Sequence, residues 1–305
     1  MEVVAGGLES GVRTTIPGLA PFLDGLTWGI MLVMIAIGLT LIFGFLGVLN
    51  FAHGSFYMLG GYLLLAVFDA TGNFWAGLMV AVVGVCLIGA VVERVTLRPL
   101  YDADPITHVV VTFGVALLIQ ASAIMVWGAR ATNVPVPTLL RGSVSVLGTQ
   151  YPFYRIFISI IGVVFIAGVG AVLRYTTLGM VIRSSLTDKD MARALGFNIP
   201  RIYTVVFSAG VAIAGLAGAL MTPLRGITPT TANSIILQAF IVVVIGGLGS
   251  YRGTILAGLG IGMADILIAR YISLRLSGVT IFALLVVVLV LQPRGLLGDK
   301  SIVDI

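Results

Sequence analysis

Between Asp24 and Asp69 the chain runs for 44 residues with one ionisable side chain, His53. A membrane span needs only about 20 predominantly apolar residues, so this stretch is long enough to cross a bilayer twice. Near its middle stands Asn50-Phe51-Ala52-His53-Gly54-Ser55, a polar interruption that predicts a turn or a broken helix between two apolar halves. The rest of the chain is of the same kind. It is 59% hydrophobic and 10% charged, with a mean hydropathy of +1.15, whereas a soluble domain carries about a quarter charged residues. Too few polar groups exist to cover a water-facing surface.

Nine apolar windows are visible: 26–46, 55–68, 74–92, 109–128, 156–173, 202–221, 235–248, 255–269 and 279–291. Several are short of a full span. The expected fold class is therefore all-α, a polytopic transmembrane bundle of eight to ten spans. Nine full spans would put the N-terminus outside, but a broken helix near Asn50 changes the parity and leaves that side open. Basic residues gather in Glu93–His108, Arg174–Arg201 and the tail with Arg294 and Lys300, and the positive-inside rule places these three in the cytoplasm. Ala129–Tyr154, Leu224–Asn233 and Tyr271–Ser277 then fall outside. No polar stretch is long enough to form a soluble domain, so residues 1–305 read as one domain. Within it, 1–25 precede the first span and 174–201 form the main cytoplasmic loop. The start Met-Glu-Val-Val has no basic residue before Arg13, which argues against a cleavable leader.

The net charge of +5 resides in short loops, so it points to membrane orientation and contact with lipid rather than to nucleic acid. Cys86 is the only cysteine, which excludes an intrachain disulfide and any cysteine-based metal or redox motif. The 39 glycines lie mostly inside apolar windows, as expected where helices pack closely in lipid. Gly210, Ala214 and Gly218 form one small-residue stripe, and Gly258 and Gly262 a second.

Three constellations stand out. Asn50, Phe51, His53 and Gly54 lie at the break, and backbone freed there must be satisfied by protein or by a water-lined cavity. They are candidate pathway residues, or an interfacial turn with Asn50 as a cap. Gly246, Gly247 and Gly249, followed by Ser250 and Gly253, either unwind a helix along the pathway or make a tight cytoplasmic turn. Thr187 to Pro200 reads as a short helix: Thr187 caps it, Asp188 and Asp190 favour its first turn, and Gly196 ends it in a left-handed conformation. Met191, Ala194 and Leu195 make an apolar stripe that suits docking on a partner or on the protein's own surface. Asp265, Gln120 and Gln238 are isolated polar groups within spans. No clustered polar site is evident in the spans.

Taken in order, Asn50-Phe-Ala-His-Gly54, Ala192-Arg-Ala-Leu-Gly196, Gly246-Gly-Leu-Gly-Ser250 with Gly253, and the tail Gln292-Pro-Arg-Gly-Leu-Leu-Gly298 resemble the permease family of high-affinity branched-chain amino acid ABC importers, in particular the shorter, LivH-type subunit. The resemblance spans nearly the whole chain. It implies a type II importer permease fold in the bacterial inner membrane. It also implies a heteromer with a second, LivM-type permease, two cytoplasmic ATPases and a periplasmic or lipid-anchored substrate-binding protein. This chain would supply half of the pathway. Asp190, Met191, Ala192, Arg193, Ala194, Leu195 and Gly196 match the coupling helix that fits a groove on the ATPase.

The chain has no Gly-x-x-x-x-Gly-Lys-[Ser/Thr] loop, so ATP and magnesium are expected on the partner ATPases, and no cofactor on this chain. An intramembrane protease would need a zinc motif, an oriented Ser/His pair or paired aspartates, and the sequence offers none. An autonomous channel or ion-coupled carrier is the other alternative, and it would use paired intramembrane charges or an inverted repeat. Nothing in the apolar spans selects among branched-chain amino acids, other amino acids, amides and urea.

Overall fold

The computed structural model describes residues 18–187 and 196–298. Among them are ten α-helices: α1 Leu19–Leu46, α2 His53–Thr71, α3 Phe74–Val92, α4 Pro105–Trp127, α5 Phe153–Tyr175, α6 Thr177–Thr187, α7 Ile199–Arg225, α8 Thr231–Gly246, α9 Tyr251–Tyr271 and α10 Leu274–Leu291. Eight are long and apolar enough to cross a membrane; α6 and α8 are not among them. The polytopic helical bundle follows the apolar windows. α1 starts at Leu19, ahead of the residue-26 window edge, and Thr231–Asn233, expected in a loop, open α8.

Local chemistry sets the boundaries. Gly47 and Gly72 end α1 and α2 with φ of 71° and 67°, a left-handed conformation that other residues adopt at a cost. Asn73, Asn198, Ser250 and Ser273 each accept from backbone N–H groups of the next helix, which satisfies donors the first turn leaves free. The segment 128–152 crosses one end of the bundle and carries a two-stranded antiparallel hairpin, Ser143–Val146 with Thr149–Pro152. That end is the hairpin end. The connection 93–104 and the start of α7 lie at the far end.

Layering follows from apolarity. α1 is apolar all round, and 89% of its most apolar window is buried, the pattern of a central helix. α2 and α7 flank it. α5 and α10 bury only 17% and 6% of theirs, so their apolar residues face outward, where a bilayer would meet them.

Glycines set the distances between the central helices. A Cβ at Gly60 would sit 2.0 Å from the Gly215 carbonyl oxygen, one at Gly218 1.9 Å from that of Tyr57, and one at Gly210 2.9 Å from that of Gly38. One at Gly262 would meet the Gly29 backbone at 2.3 Å, and one at Gly258 Val33 at 2.5 Å, while Gly260 between them faces open space. Both small-residue stripes are therefore helix contacts. Gly60→Val should separate α2 from α7 and cost about 3 kcal/mol or more, the upper range for overpacking. Gly114, with nothing within 4 Å, should accept Ala freely. Thermal unfolding of the purified variants checks the contrast.

Candidate functional site

Two helices begin inside the bundle rather than at its ends. α2 starts at His53, whose ring lies against Ile35 in the middle of α1. α8 starts at Thr231, and a Cβ at Gly54 would fall 2.2 Å from the Ala232 carbonyl oxygen. From this meeting point α2 runs to the hairpin end and α8 to the far end. With 16 residues, α8 spans about 24 Å, short of a hydrocarbon core of about 30 Å.

The backbone freed at these starts is satisfied from neighbouring elements. Thr112 of α4 accepts from Phe51 N at 3.2 Å and lies 3.1 Å from the Leu49 carbonyl, to which it donates. The Asn50 side chain accepts from Ala52 N at 3.1 Å. Ser55 donates to the Ala116 carbonyl at 3.3 Å. His53 donates from Nε2 to the Ile35 carbonyl at 2.9 Å, in a slot left open by Gly38, where a Cβ would lie 3.0 Å from the imidazole. Ahead of α8, Thr132 and Ile227 exchange both backbone hydrogen bonds, at 3.0 and 2.8 Å. The hairpin-end loop thus pairs with the irregular segment 226–230.

Asn50, His53 and Gly54 are fully buried, so they build the junction from behind. Phe51 is only half-buried and stacks at a tilt on Phe240 of α8, centroids 5.0 Å apart. Gly246, Gly247 and Gly249 are not gathered with them. Gly246 lies 14 residues beyond Ala232, about 21 Å along α8, and the three glycines form the α8–α9 turn. Gly247 and Gly249 have φ of 100° and 84°. The tail closes this turn: Leu296 N donates to the Ile245 carbonyl at 2.7 Å and Leu297 N to that of Gly246 at 3.1 Å. Of the two readings of the glycine cluster, the tight turn is the one formed. Asp190, Met191, Ala192, Arg193, Ala194 and Leu195 lie outside the described residues, while Gly196 has φ of 87°, the left-handed conformation expected of it.

The fold also assembles a polar face that sequence reading missed. Thr228, Thr230 and Thr231 share hydroxyl contacts of 2.9 and 3.0 Å. Asn233 and Ser234 are exposed on the first turn of α8, and Gln238 is half-exposed one turn on. Gln120 of α4 donates to Asn233 Oδ1 at 3.0 Å. With the exposed Leu237 among them, these groups continue along α8 to Phe240 and Phe51, flanked by the apolar outer faces of α4 and α10. Such a strip is suited to water or to another protein surface and unsuited to lipid. The signal was the density of Thr, Asn and Ser in 228–234, which reads equally well as a loop.

At the far end Glu93, fully buried, accepts from Tyr101 at 2.5 Å, Thr204 at 2.7 Å and Arg98 at 3.4 Å. Arg98 also donates to the Pro200 carbonyl at 3.1 Å and to Thr204 at 2.6 Å. Burial first, and the hydrogen bond to Glu93 second, push the Tyr101 phenol well above its usual range, so it stays a donor at physiological pH. This cluster joins the α3–α4 connection to the start of α7, directly after residues 188–195.

The chain from residue 22 to 289 matches the family model described as the permease component of branched-chain amino acid transport systems. It is 32% identical to the high-affinity branched-chain amino acid transport permease LivH of Escherichia coli, over 93% of this chain and 96% of that one. It is 29% identical to BraD of Pseudomonas aeruginosa, over 93% and 97%. Identity to the E. coli permease LivM is 27%, over 90% of this chain and 69% of that protein. No solved structure matches the chain.

If the α8 strip faces water, a cysteine at Ser234 in a Cys86→Ala background will react rapidly with a small charged thiol reagent. One at Leu118, on the apolar face of α4 and 69% exposed, will react at least tenfold more slowly. Equal rates would assign both faces to the same environment.

Proposed function

This chain belongs to the permease family of branched-chain amino acid transport systems, and on that premise we propose that its α8 strip is one wall of the pathway for an amino acid. The observation that carries the reading is the polar face from Thr228 to Gln238, set in an otherwise apolar surface and continued by Phe51 and Phe240. Isolated, it would strand hydroxyl and amide groups in hydrocarbon. Facing a related subunit, it would line a polar gap between two permeases. A LivM-type chain is the partner that the relatives' names suggest. Asn50 and His53 hold the junction rigid, and Gln120 fixes the amide of Asn233. Aromatic rings at the Phe51 end would narrow the gap.

Energy enters from outside the chain in this reading. ATP and magnesium bind two cytoplasmic ATPases, and a periplasmic or lipid-anchored binding protein delivers the substrate. Asp190 to Gly196 form the contact with the ATPase, ending at the left-handed Gly196. The Glu93–Arg98–Thr204 cluster then ties that contact to α7 and to the α3–α4 connection. The far end, with the tail, lies in the cytoplasm of a bacterial inner-membrane protein, in keeping with the basic residues of the 174–201 segment.

Reconstitution tests the function. The chain, a LivM-type partner, the ATPases and a loaded binding protein should take up a branched-chain amino acid into proteoliposomes with ATP hydrolysis, while the chain by itself should take up none. Uptake by this subunit unaided would establish a carrier instead. Ala194→Glu should abolish coupling or co-purification of the ATPases without preventing membrane insertion. Wild-type uptake in that variant would remove the loop from the mechanism.

Orientation is tested separately, with Cys86 replaced by Ala. A cysteine at Ser143 should label from outside intact cells with an impermeant reagent. One at Leu248, exposed at the far-end turn, should label only after permeabilisation. The reverse pattern inverts the topology.

A further inference from the structure

Four helices converge on one polar cluster near the hairpin end. Asp265 of α9 is 9% exposed, and both of its oxygens are engaged. Oδ2 accepts from Trp28 Nε1 of α1 at 3.1 Å, and Oδ1 accepts from the Ser277 hydroxyl of α10. The carboxylate thereby fixes the plane of an indole that is itself only 3% exposed. Over that indole lies the guanidinium of Arg225, the last residue of α7, its central carbon 3.6 Å from the ring centroid. Arg225 is exposed, and among the described residues no carboxylate lies within ion-pair distance of it. Asp24 is paired with Arg155 and Glu93 with Arg98, while Asp265 attracts the guanidinium from beyond that distance.

An arginine has five N–H donors in the plane of its fork. With one face on the indole, those donors form no hydrogen bond to a side chain or carbonyl among the described residues. The next residues are Gly226, Ile227 and then Thr228, where the α8 strip begins. Arg225 therefore stands at the head of the strip, ahead of the threonine hydroxyls and the first N–H groups of α8. The guanidinium and the threonine hydroxyls there can all donate hydrogen bonds.

We infer that Arg225, braced on Trp28 by Asp265 and Ser277, is a carboxylate-binding site at the entrance of the pathway and receives the α-carboxylate of the amino acid substrate. The inference rests on the proposed function and deepens it. A planar fork matches a carboxylate bidentately, and the α-carboxylate is common to every amino acid. The site would admit the class and leave discrimination among side chains to other parts of the transporter.

The test uses the assembled transporter in proteoliposomes with a loaded binding protein. Arg225→Gln should lower uptake of a branched-chain amino acid about tenfold or more, the loss expected for charge-assisted hydrogen bonds. Stimulation of ATPase activity by the loaded binding protein should persist. Arg225→Lys, which keeps the charge but loses the fork and the flat stacking face, should fall in between; it also carries the test should the Gln variant fail to assemble. Loss of binding-protein association together with ATPase stimulation would overturn the proposal, because the carboxylates would then be those of the delivery protein. Unchanged uptake in both variants would overturn it too, leaving Arg225 as a brace for α7. Absence of uptake by the wild-type assembly would instead defeat the proposed function, so the two failures are distinguishable.

Discussion

Backbone that leaves a helix inside a membrane must find its hydrogen bonds within the protein, and the centre of this structure is organised by that requirement. Two helices start at mid-bundle, and each start leaves its first N–H groups without intrahelical partners where water is scarce. Around α2 the remedies are side chains: Thr112 and Asn50 bond to backbone at the break, and Ser55 ties the first turn of α2 to the Ala116 carbonyl of α4. Ahead of α8 the remedy is a two-bond backbone bridge between Thr132 and Ile227. Removing the Thr112 or Asn50 side chain would leave a backbone N–H at the break unpaired, which costs about 1–3 kcal/mol in protein interiors.

The second requirement is close approach. Half-helices can be held at mid-depth only if the full-length helices around them come near enough to supply those partners, and glycine makes this possible. The Gly38 position shows both effects at once. Its missing side chain lets α1 meet α7 at Gly210 and leaves the slot that His53 fills. In a bilayer, where lipid tails are as apolar as the helices, such close packing supplies much of the association energy.

Much of this was legible in the chain. The windows located the spanning helices because apolar runs of this length have few other uses. The break at Asn50 was visible as polarity inside apolarity, and Gly196 as a stop signal. The roles within those features were less legible. Asn50 and His53 read as pathway residues or as an interfacial turn because they are polar, and their full burial at the start of α2 was not visible in the sequence. The strip that faces outward was hidden because Thr, Asn and Ser at 228–234 look like a loop until the helix is seen to begin there. Long separation hid the rest: Trp28 and Asp265 lie 237 residues apart, and Glu93 and Thr204 lie 111 apart. Nothing local marks either pair.

The closed turn between α8 and α9 bears on biogenesis. The carbonyls of Ile245 and Gly246 receive their partners from Leu296 and Leu297, some fifty residues later in the chain. At about 5–20 residues per second, several seconds of synthesis separate the turn from the segment that completes it. During that interval α8 and α9 are already made, but the turn joining them still lacks its clasp. The order of translation thus makes this turn one of the last parts of the bundle to be completed, because its two carbonyls gain these partners only when the tail arrives.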